Sequence, residues 1–413
     1  MAIRNTGATN TRLIATTLML AAGTILGTTG CASPGHGKVT TEHIAQAEQR
    51  MSDMRAATEW DMAQQQFLAG DLQKSLKTVD NSISMSNSVA KSHALRGRIL
   101  YEMGQPDAAN EAFKRAIAID PEYVDAYYYI GIIHERYREY EESMAMFMTA
   151  ASLDPSNPQF PLAAAEMQIE IGNLDQAESI LLERQDRFEH NAGFRQTLGH
   201  IAQMRGDDAL AATFFGEARI LAPEDKSILE DLAIAQVGAQ RFPEASYTLG
   251  QLLKDLRPGD RRDLEHLQAS CLMELDRPVE ARAILLNLTK GVDGANDTRA
   301  WFGLGQAAYK LGDMNRVKIT AGRLIAMKPN SYEGYFLMAA WKRHNGDLNG
   351  ALASLNKASS LTSVDSSPML FRGLVLHELG QQDNAAKSFA EALRIDPSNR
   401  DAEQLLVMVL EDN

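Results

Sequence analysis

The sequence predicts an all-α protein built from ten stacked helix-turn-helix units, and two regular spacings carry that prediction. Glycines recur at separations of 34 residues or near-multiples of 34: Gly70, Gly104, Gly172, Gly206, Gly312, Gly346 and Gly380. Prolines follow the same spacing: Pro121, Pro155, Pro223, Pro329 and Pro397. Aromatic residues make up only 7% of the chain while Ala, Leu and Met are plentiful, a composition that favours helices. A fixed period of this length is typical of repeat architectures rather than independent domains.

Residues 1–30 precede the repeats and are predicted to be a signal peptide. Residues 1–12 contain two arginines and no acid, and residues 13–26 form an uncharged, mostly apolar run of 14 residues. That run is short for a helix that must span a bilayer with about 20 apolar residues, but it fits the apolar core of a signal peptide.

The small residues that end directly before Cys31 resemble a bacterial lipobox. The resemblance implies that Cys31 is lipidated and becomes the first residue of the mature chain. Ala32 follows where proteins retained at the inner membrane commonly have Asp, so the implied location is the periplasmic face of the outer membrane. Thr28 departs from the usual Leu, and a conventional secretory signal, an uncleaved anchor or no export remain open.

Residues 31–55 comprise the cysteine, a Gly- and Pro-containing tether and an N-terminal helical segment, and ten units then span residues 56–399. The units begin at Ala56, Ala90, Val124, Pro158, Ala192, Lys226, Arg262, Thr298, Tyr332 and Ser366. Two residues are inserted before each of the units at Arg262 and Thr298. Residues 400–413 are predicted to form a helix that caps the apolar side of the last unit.

Each unit is predicted to consist of two amphipathic helices of about 13 residues. The recurring residues each stabilise a particular part of this unit. Glycine in the turn accepts the left-handed conformation that ends the first helix. Small residues at positions 8, 20 and 27 allow the helices to approach closely, and aromatic residues at positions 4 and 24 fill the remaining space. The Asp-Pro pair stops the second helix because proline disfavours helix in the residue before it. One pair cannot bury its apolar faces, so the units must stack.

The units resemble the tetratricopeptide repeat. The unit at Val124 has Tyr127, Gly131, Phe147 and Pro155 at the signature positions. The units at Pro158, Lys226 and Arg262 match less well: a small residue remains at position 8, but the proline is lost or shifted. The resemblance implies a right-handed superhelical solenoid. It also implies a concave groove, lined by first-helix positions 2, 5, 9 and 12, that receives a peptide or a partner helix.

Six residues are candidates for partner contacts in that groove. They are Arg98, Tyr101, Tyr128, Glu135, Phe302 and Tyr309. Aromatic and arginine side chains are favoured anchors of protein interfaces, which is why they are selected. Ordinary packing between repeats is the alternative explanation of the same aromatic residues.

The remaining chemistry argues against an enzyme and against nucleic-acid binding. The net charge is −13 with no basic run, whereas phosphate-backbone binding needs clustered Lys and Arg. The nine histidines are scattered without metal-ligand spacing, and no nucleophile or phosphate-loop motif is present. Two cysteines exclude a disulfide framework, and Cys271 is predicted to be a small buried apolar residue. We expect no catalytic residue, no cofactor, no metal and no small-molecule substrate.

The predicted function is a protein-protein interaction scaffold anchored in the cell envelope. The chain resembles outer-membrane tetratricopeptide lipoproteins, which implies a role in assembling a pilus, a secretion system, the outer membrane or an exopolysaccharide system. A cytosolic adaptor and a periplasmic glycan-interacting protein are the alternatives.

Overall fold

The computed structural model describes residues 38–411, and these residues form 22 helices and no strand. The chain divides into two compact units, residues 1–88 and 89–413, which are treated separately. The predicted signal peptide, Cys31 and most of the predicted tether lie outside the described residues. Over residues 38–411, each helix is either too short or too polar to cross a lipid bilayer.

The described part of the first unit is a pair of helices, α1 (Lys38–Leu68) and α2 (Leu72–Met85). The helical segment predicted before the first repeat continues into that repeat without a break, so it extends the first helix. Gly70 makes the turn with φ +83°. The buried hydroxyl of Ser75 donates a hydrogen bond of 2.7 Å to the carbonyl oxygen of Ala63, which ties the two helices together.

The second unit is a stack of nine helix pairs with a final helix. The first helices are α3 (Ala90–Glu102), α5 (Val124–Arg136), α7 (Gln159–Ile171), α9 (Ala192–Met204), α11 (Lys226–Gly238), α13 (Arg262–Glu274), α16 (Thr298–Lys310), α18 (Tyr332–His344) and α20 (Ser367–Glu378). The second helices are α4 (Pro106–Ile119), α6 (Tyr140–Leu153), α8 (Leu174–Leu182), α10 (Asp208–Leu221), α12 (Phe242–Leu253), α14 (Pro278–Leu288), α17 (Met314–Met327), α19 (Leu348–Ser359) and α21 (Gln382–Ile395). A short helix, α15 (Gly291–Ala295), lies in the second insertion, and α22 (Arg400–Glu411) packs on α21.

In the second unit, each helix of a pair packs on its partner and on the adjoining pair, which is the arrangement of a solenoid. Seven of the nine first helices begin at the residue where the 34-residue spacing starts a unit, and the other two begin one residue later. The prediction of an all-α solenoid of helix-turn-helix units is therefore confirmed.

The turn inside each pair depends on a left-handed residue. The seven glycines of the sequence pattern all have positive φ, between +72° and +89°, as predicted. Three units have no glycine at this position, and Arg138 (φ +61°), Gln240 (φ +58°) and Asp276 (φ +54°) take the left-handed conformation instead. An L-residue is disfavoured there by roughly 1–2 kcal/mol, so these three turns carry strain that the other turns avoid.

Positions 8 and 24 are matched in size in eight of the nine pairs of the second unit, the exception being Gly305 with Ala321. Four pairs join glycine to phenylalanine: Gly97 with Phe113, Gly131 with Phe147, Gly199 with Phe215, and Gly373 with Phe389. A Cβ on any of these glycines would lie 2.4 to 2.7 Å from the ring. Four pairs join alanine to leucine instead: Ala165 with Leu181, Ala233 with Leu249, Ala269 with Leu285, and Ala339 with Leu355. All these residues are buried, so the units that depart from the family signature have exchanged one close-packed pair for another of similar volume.

Cys271 is buried in the core formed with Ala233, Leu249 and Leu264. Burial raises the pKa of its thiol to about 11, which keeps it protonated and unreactive. The prediction of a small buried apolar residue is confirmed.

Candidate functional site

First helices of the last four pairs line two adjoining cavities, of about 220 and about 330 Å³. Both cavities contain Met273, Glu274 and Gln306 in their walls. We call this continuous surface the C-terminal groove; the rest of its lining includes His266, Ser270, Arg299, Phe302, Tyr309, Lys310, Phe336 and Phe371. These residues occupy positions 2, 5, 6, 9, 12 and 13 of their units, which include the positions that the sequence predicts for a concave groove.

Aromatic side chains connect successive units along this groove. The ring centroid of Phe302 lies 6.5 Å from that of Phe336 and 6.2 Å from that of Tyr332. The rings of Phe336 and Phe371 are 5.5 Å apart, and the Arg343 guanidinium lies 5.1 Å from the centre of the Phe371 ring. Tilted and edge-on aromatic pairs at these distances are favourable. The groove therefore has a continuous apolar wall.

Charged groups border the apolar wall on exposed first-helix positions. Arg299, Lys310 and Glu274 are all exposed. The Lys310 ammonium donates 3.2 Å hydrogen bonds to the Met273 carbonyl oxygen and to Asp276. An apolar centre with a polar, solvated border is the usual anatomy of a protein interface.

Arg98 and Tyr101 meet at Tyr129, which is not one of the predicted groove residues. The Arg98 guanidinium lies 5.4 Å from the centre of the Tyr129 ring, and the Tyr101 and Tyr129 centroids are 6.4 Å apart. Tyr129 itself stacks on the buried Phe113 at 5.2 Å with an angle of 4° between the rings. The cluster is thereby attached to the core of its own pair.

Tyr128 faces a different group of side chains. Its ring centroid lies 5.6 Å from that of Phe147 and 5.4 Å from that of Phe160, and both phenylalanines are buried. The side chain is partly buried, and burial raises the pKa of its phenol, with a further contribution from Tyr129. The ring of Tyr128 thus belongs to the packing between two adjacent units.

Glu135 lines an acidic depression of about 370 Å³, which it shares with Glu166 and Glu170. Burial and the nearby Glu135 carboxylate raise the pKa of Glu166, in that order of importance. Arg136 and Arg138 also border the depression, so its charge is only partly balanced. We call this surface the acidic depression.

The structure thus brings the six predicted groove residues to four places. Phe302 and Tyr309 line the adjoining cavities of the C-terminal groove, Arg98 and Tyr101 share one cluster, and Tyr128 and Glu135 lie apart from both. Their role in partner binding remains a prediction.

Four further residues at these surfaces were not predicted: Phe336, Phe371, Met273 and Glu166. Phe336 follows Phe302 by 34 residues and Glu166 occupies position 9, so the repeat spacing contained the signal for both. Phe371 is one residue off that spacing, and no pattern in the sequence pointed to it.

Comparison with known families identifies the repeats. Residues 97–136 match the family model described as TPR repeat, and residues 124–157 and 368–399 match the model described as tetratricopeptide repeat. The matched segments fall in the units at Ala90, Val124 and Ser366, each of which has glycine at position 8 and phenylalanine at position 24.

The chain is also similar to a related sequence and to solved structures. The chain is 26% identical over 194 residues to a TPR repeat-containing protein of Methanocaldococcus jannaschii, and the match covers 45% of this chain but only 34% of the archaeal protein. A tetratricopeptide repeat protein from Parabacteroides merdae superposes with a TM-score of 0.51 at 17% identity, covering 61% of this chain and 98% of the other. PilW, a type IV pilus biogenesis factor, superposes with a TM-score of 0.42 at 17% identity, covering 52% and 98% of the two chains.

The class of protein follows from the fold together with these matches. The chain contains tetratricopeptide repeats within residues 97–157 and 368–399, and its described helices have the fold of a tetratricopeptide solenoid.

Proposed function

We propose that this chain is a non-catalytic scaffold that holds a segment of a partner protein in the C-terminal groove. The observation that carries the proposal is the continuous aromatic wall from Phe302 to Phe371 beside two adjoining cavities. Buried aromatic anchors surrounded by a polar border are the features that concentrate binding energy in protein interfaces.

Each cavity of the groove is large enough to accept one or two side chains of a bound segment. Its two cavities of about 220 and about 330 Å³ follow one another across the units, so a partner segment that runs along the groove fills them in turn. Exposed Arg299, Lys310 and Glu274 offer charges of both signs to the flanks of that segment.

The proposed site of action is the cell envelope. The apolar run at residues 13–26 and the small residues before Cys31 support lipidation of that cysteine and attachment to the outer membrane, facing the periplasm. In this setting the scaffold assists the assembly of a pilus, a secretion system, the outer membrane or an exopolysaccharide system.

Site-specific photocrosslinking in cells tests the proposal. A benzophenone amino acid replaces Gln306, which is exposed in the C-terminal groove, and a matched control places it at Ile319, which is 64% exposed on α17. We expect specific adducts with envelope-assembly proteins from position 306 and none of them from position 319. The same adducts from both positions would contradict the groove assignment, and adducts with cytosolic proteins alone would support the cytosolic adaptor instead.

A further inference from the structure

A cavity of about 290 Å³ lies between α12, α13 and α14, apart from the C-terminal groove. Its apolar lining includes Leu253, Leu256, Pro258 and Ile284. Two polar side chains of α13, Glu265 and Gln268, also line it. On an ideal helix at 100° per residue these two lie about 140° around the axis from the groove-lining residues of α13. The cavity is therefore a separate site.

The two polar residues stand where the fold ordinarily uses apolar ones. Glu265 occupies position 4 of its unit, the position of Trp301 in the next one. Gln268 occupies position 7, which is Leu304 in the next unit. Polar side chains are uncommon at such buried positions, so this pair needs an explanation of its own.

The Glu265 carboxylate is buried and only half satisfied. The residue is 7% exposed. The Gly259 amide donates a 2.6 Å hydrogen bond to its Oε1, while Oε2 is buried without a hydrogen-bond partner. Gln268 shows the same arrangement: its Nε2 donates to the Ser246 hydroxyl at 3.1 Å, and its Oε1 is buried without a partner. Two residues that line the cavity thus each have a buried acceptor oxygen that lacks a donor.

The two-residue insertion before this unit builds the site. The lengthened connection between α12 and α13 contributes Leu256 and Pro258 to the wall and the Gly259 amide to the carboxylate. Gly259 has φ +94°, a conformation that side-chain-bearing residues rarely adopt. The same segment therefore shapes the cavity and holds Glu265 in place.

The chemistry of these groups selects the ligand. A buried carboxylate is costly unless a positive charge and hydrogen-bond donors compensate it. Within residues 38–411 no group of three or more His, Cys, Asp or Glu side chains is arranged to hold a metal ion. An ammonium group has three donors and no acceptor, which matches one carboxylate oxygen and one amide oxygen, and an alkyl stem matches the apolar walls.

We propose that this cavity binds a primary ammonium group carried on an alkyl stem. Two sources offer that chemistry, a free alkylamine and the lysine side chain of a partner protein. The proposal does not depend on the function proposed for the C-terminal groove.

Methyl NMR of the full chain tests it, with n-pentylammonium as the probe and 1-pentanol as the neutral control. The methyl groups of Leu253, Leu256 and Ile284 report on the cavity. We expect saturable shifts of these methyl signals with the ammonium, and binding at least about tenfold weaker for the alcohol because it carries no charge. Nα-acetyl-lysine methylamide then separates the sources: binding as tight as that of pentylammonium assigns the site to a partner lysine, and clearly weaker binding assigns it to a free amine.

Three variants locate the interaction. Glu265→Gln should abolish the preference for the ammonium over the alcohol, and Gln268→Leu, which keeps the carboxylate, should weaken binding of the ammonium by a smaller factor. The control Glu244→Gln removes an exposed charge from α12 outside the cavity and should leave binding unchanged. Circular dichroism confirms that each variant is folded.

Three outcomes would overturn the proposal. The first is an equal response to ammonium and alcohol, and the second is ammonium binding that survives in Glu265→Gln. Lys254 also borders the cavity. Binding of the ammonium only after Lys254→Met would show that the chain's own lysine occupies the site, and that third outcome would overturn the proposal for the intact protein.

Discussion

Individual residues in the turns and between paired helices govern how each unit closes. Where the unit provides glycine, the left-handed turn is unstrained; Arg138, Gln240 and Asp276 adopt it against their intrinsic preference. The match between positions 8 and 24 acts at the same scale, because a ring can lie against a helix backbone only where no Cβ intervenes.

Replacing Gln240 by glycine should stabilise the protein. The left-handed turn then loses its steric penalty, and we expect the free energy of unfolding to rise by about 1 kcal/mol. Urea denaturation followed by circular dichroism measures the change. Gln240→Ala removes the same exposed side chain without relieving the backbone, so a gain of equal size in that variant would contradict the explanation.

The packing of Gly131 against Phe147 can be tested by replacing this glycine-phenylalanine pair with the alanine-leucine pair found in other units. Gly131→Ala alone places a Cβ 2.6 Å from the ring and should destabilise the protein by about 1–3 kcal/mol. In a Phe147→Leu background the same change should be much less harmful, because Ala with Leu is the pair used in four other units. A double-mutant cycle from denaturation curves gives the coupling energy, and strictly additive effects would show that the two positions are not matched.

Among the helix pairs, the surfaces formed by successive first helices differ along the solenoid. The acidic depression collects Glu135, Glu166 and Glu170, whereas the C-terminal groove presents phenylalanine rings with mixed charges around them. Partners of different chemistry therefore suit the two surfaces.

Glu166→Gln should change the pH dependence of stability. Burial and Glu135 raise the pKa of Glu166, so its contribution to folding is favourable below the ordinary carboxyl pKa and is lost as the pH rises through the raised value. The variant should therefore be more stable than the parent at pH 7 and equally stable near pH 4. The difference at pH 7 should be at most about 0.5 kcal/mol because the Glu166 side chain is exposed to solvent. Thermal melts across this pH range test the sign, with the exposed Glu122→Gln as the control.

Gln306→Arg should block the C-terminal groove. The larger charged side chain enters both cavities and disturbs the apolar surface, so we expect partner capture to fall by about tenfold or more with helical content unchanged. Capture is measured by crosslinking followed by mass spectrometry. Ile319→Arg adds the same charge on exposed α17, and an equal loss there would reject the groove as the binding surface.

For the molecule as a whole, the proposed envelope location makes the N-terminal cysteine decisive. Cys31→Ala should prevent incorporation of labelled palmitate and release the protein from the membrane fraction, because a multiply acylated cysteine is a stable anchor. Palmitate labelling and membrane fractionation measure both effects. Unlabelled parent protein in the soluble fraction would reject lipidation, and expression of Ser33→Ala in parallel controls for substitution near the processing site.

Much of the architecture was predictable because it depends on short-range patterns in the sequence. The 34-residue spacing placed the starts of the first helices, and glycine at the turn predicted positive φ, since both are properties of a few neighbouring residues. The candidate site was predicted less completely. Repeat positions indicated Phe302 and Tyr309, but they did not distinguish Tyr128, which packs on Phe147 and Phe160, from Tyr129, which meets Arg98.

The sequence by itself determined that this chain is an all-α repeat solenoid, because the period, the turn glycines and the helix-ending prolines act locally. Only the tertiary structure decided which side chains meet. The exchange of Gly with Phe for Ala with Leu, the aromatic wall and the buried carboxylate of Glu265 all depend on contacts between helices. The physical reason is that the local conformation is set by neighbouring residues, whereas burial and partner choice are set by how whole helices pack.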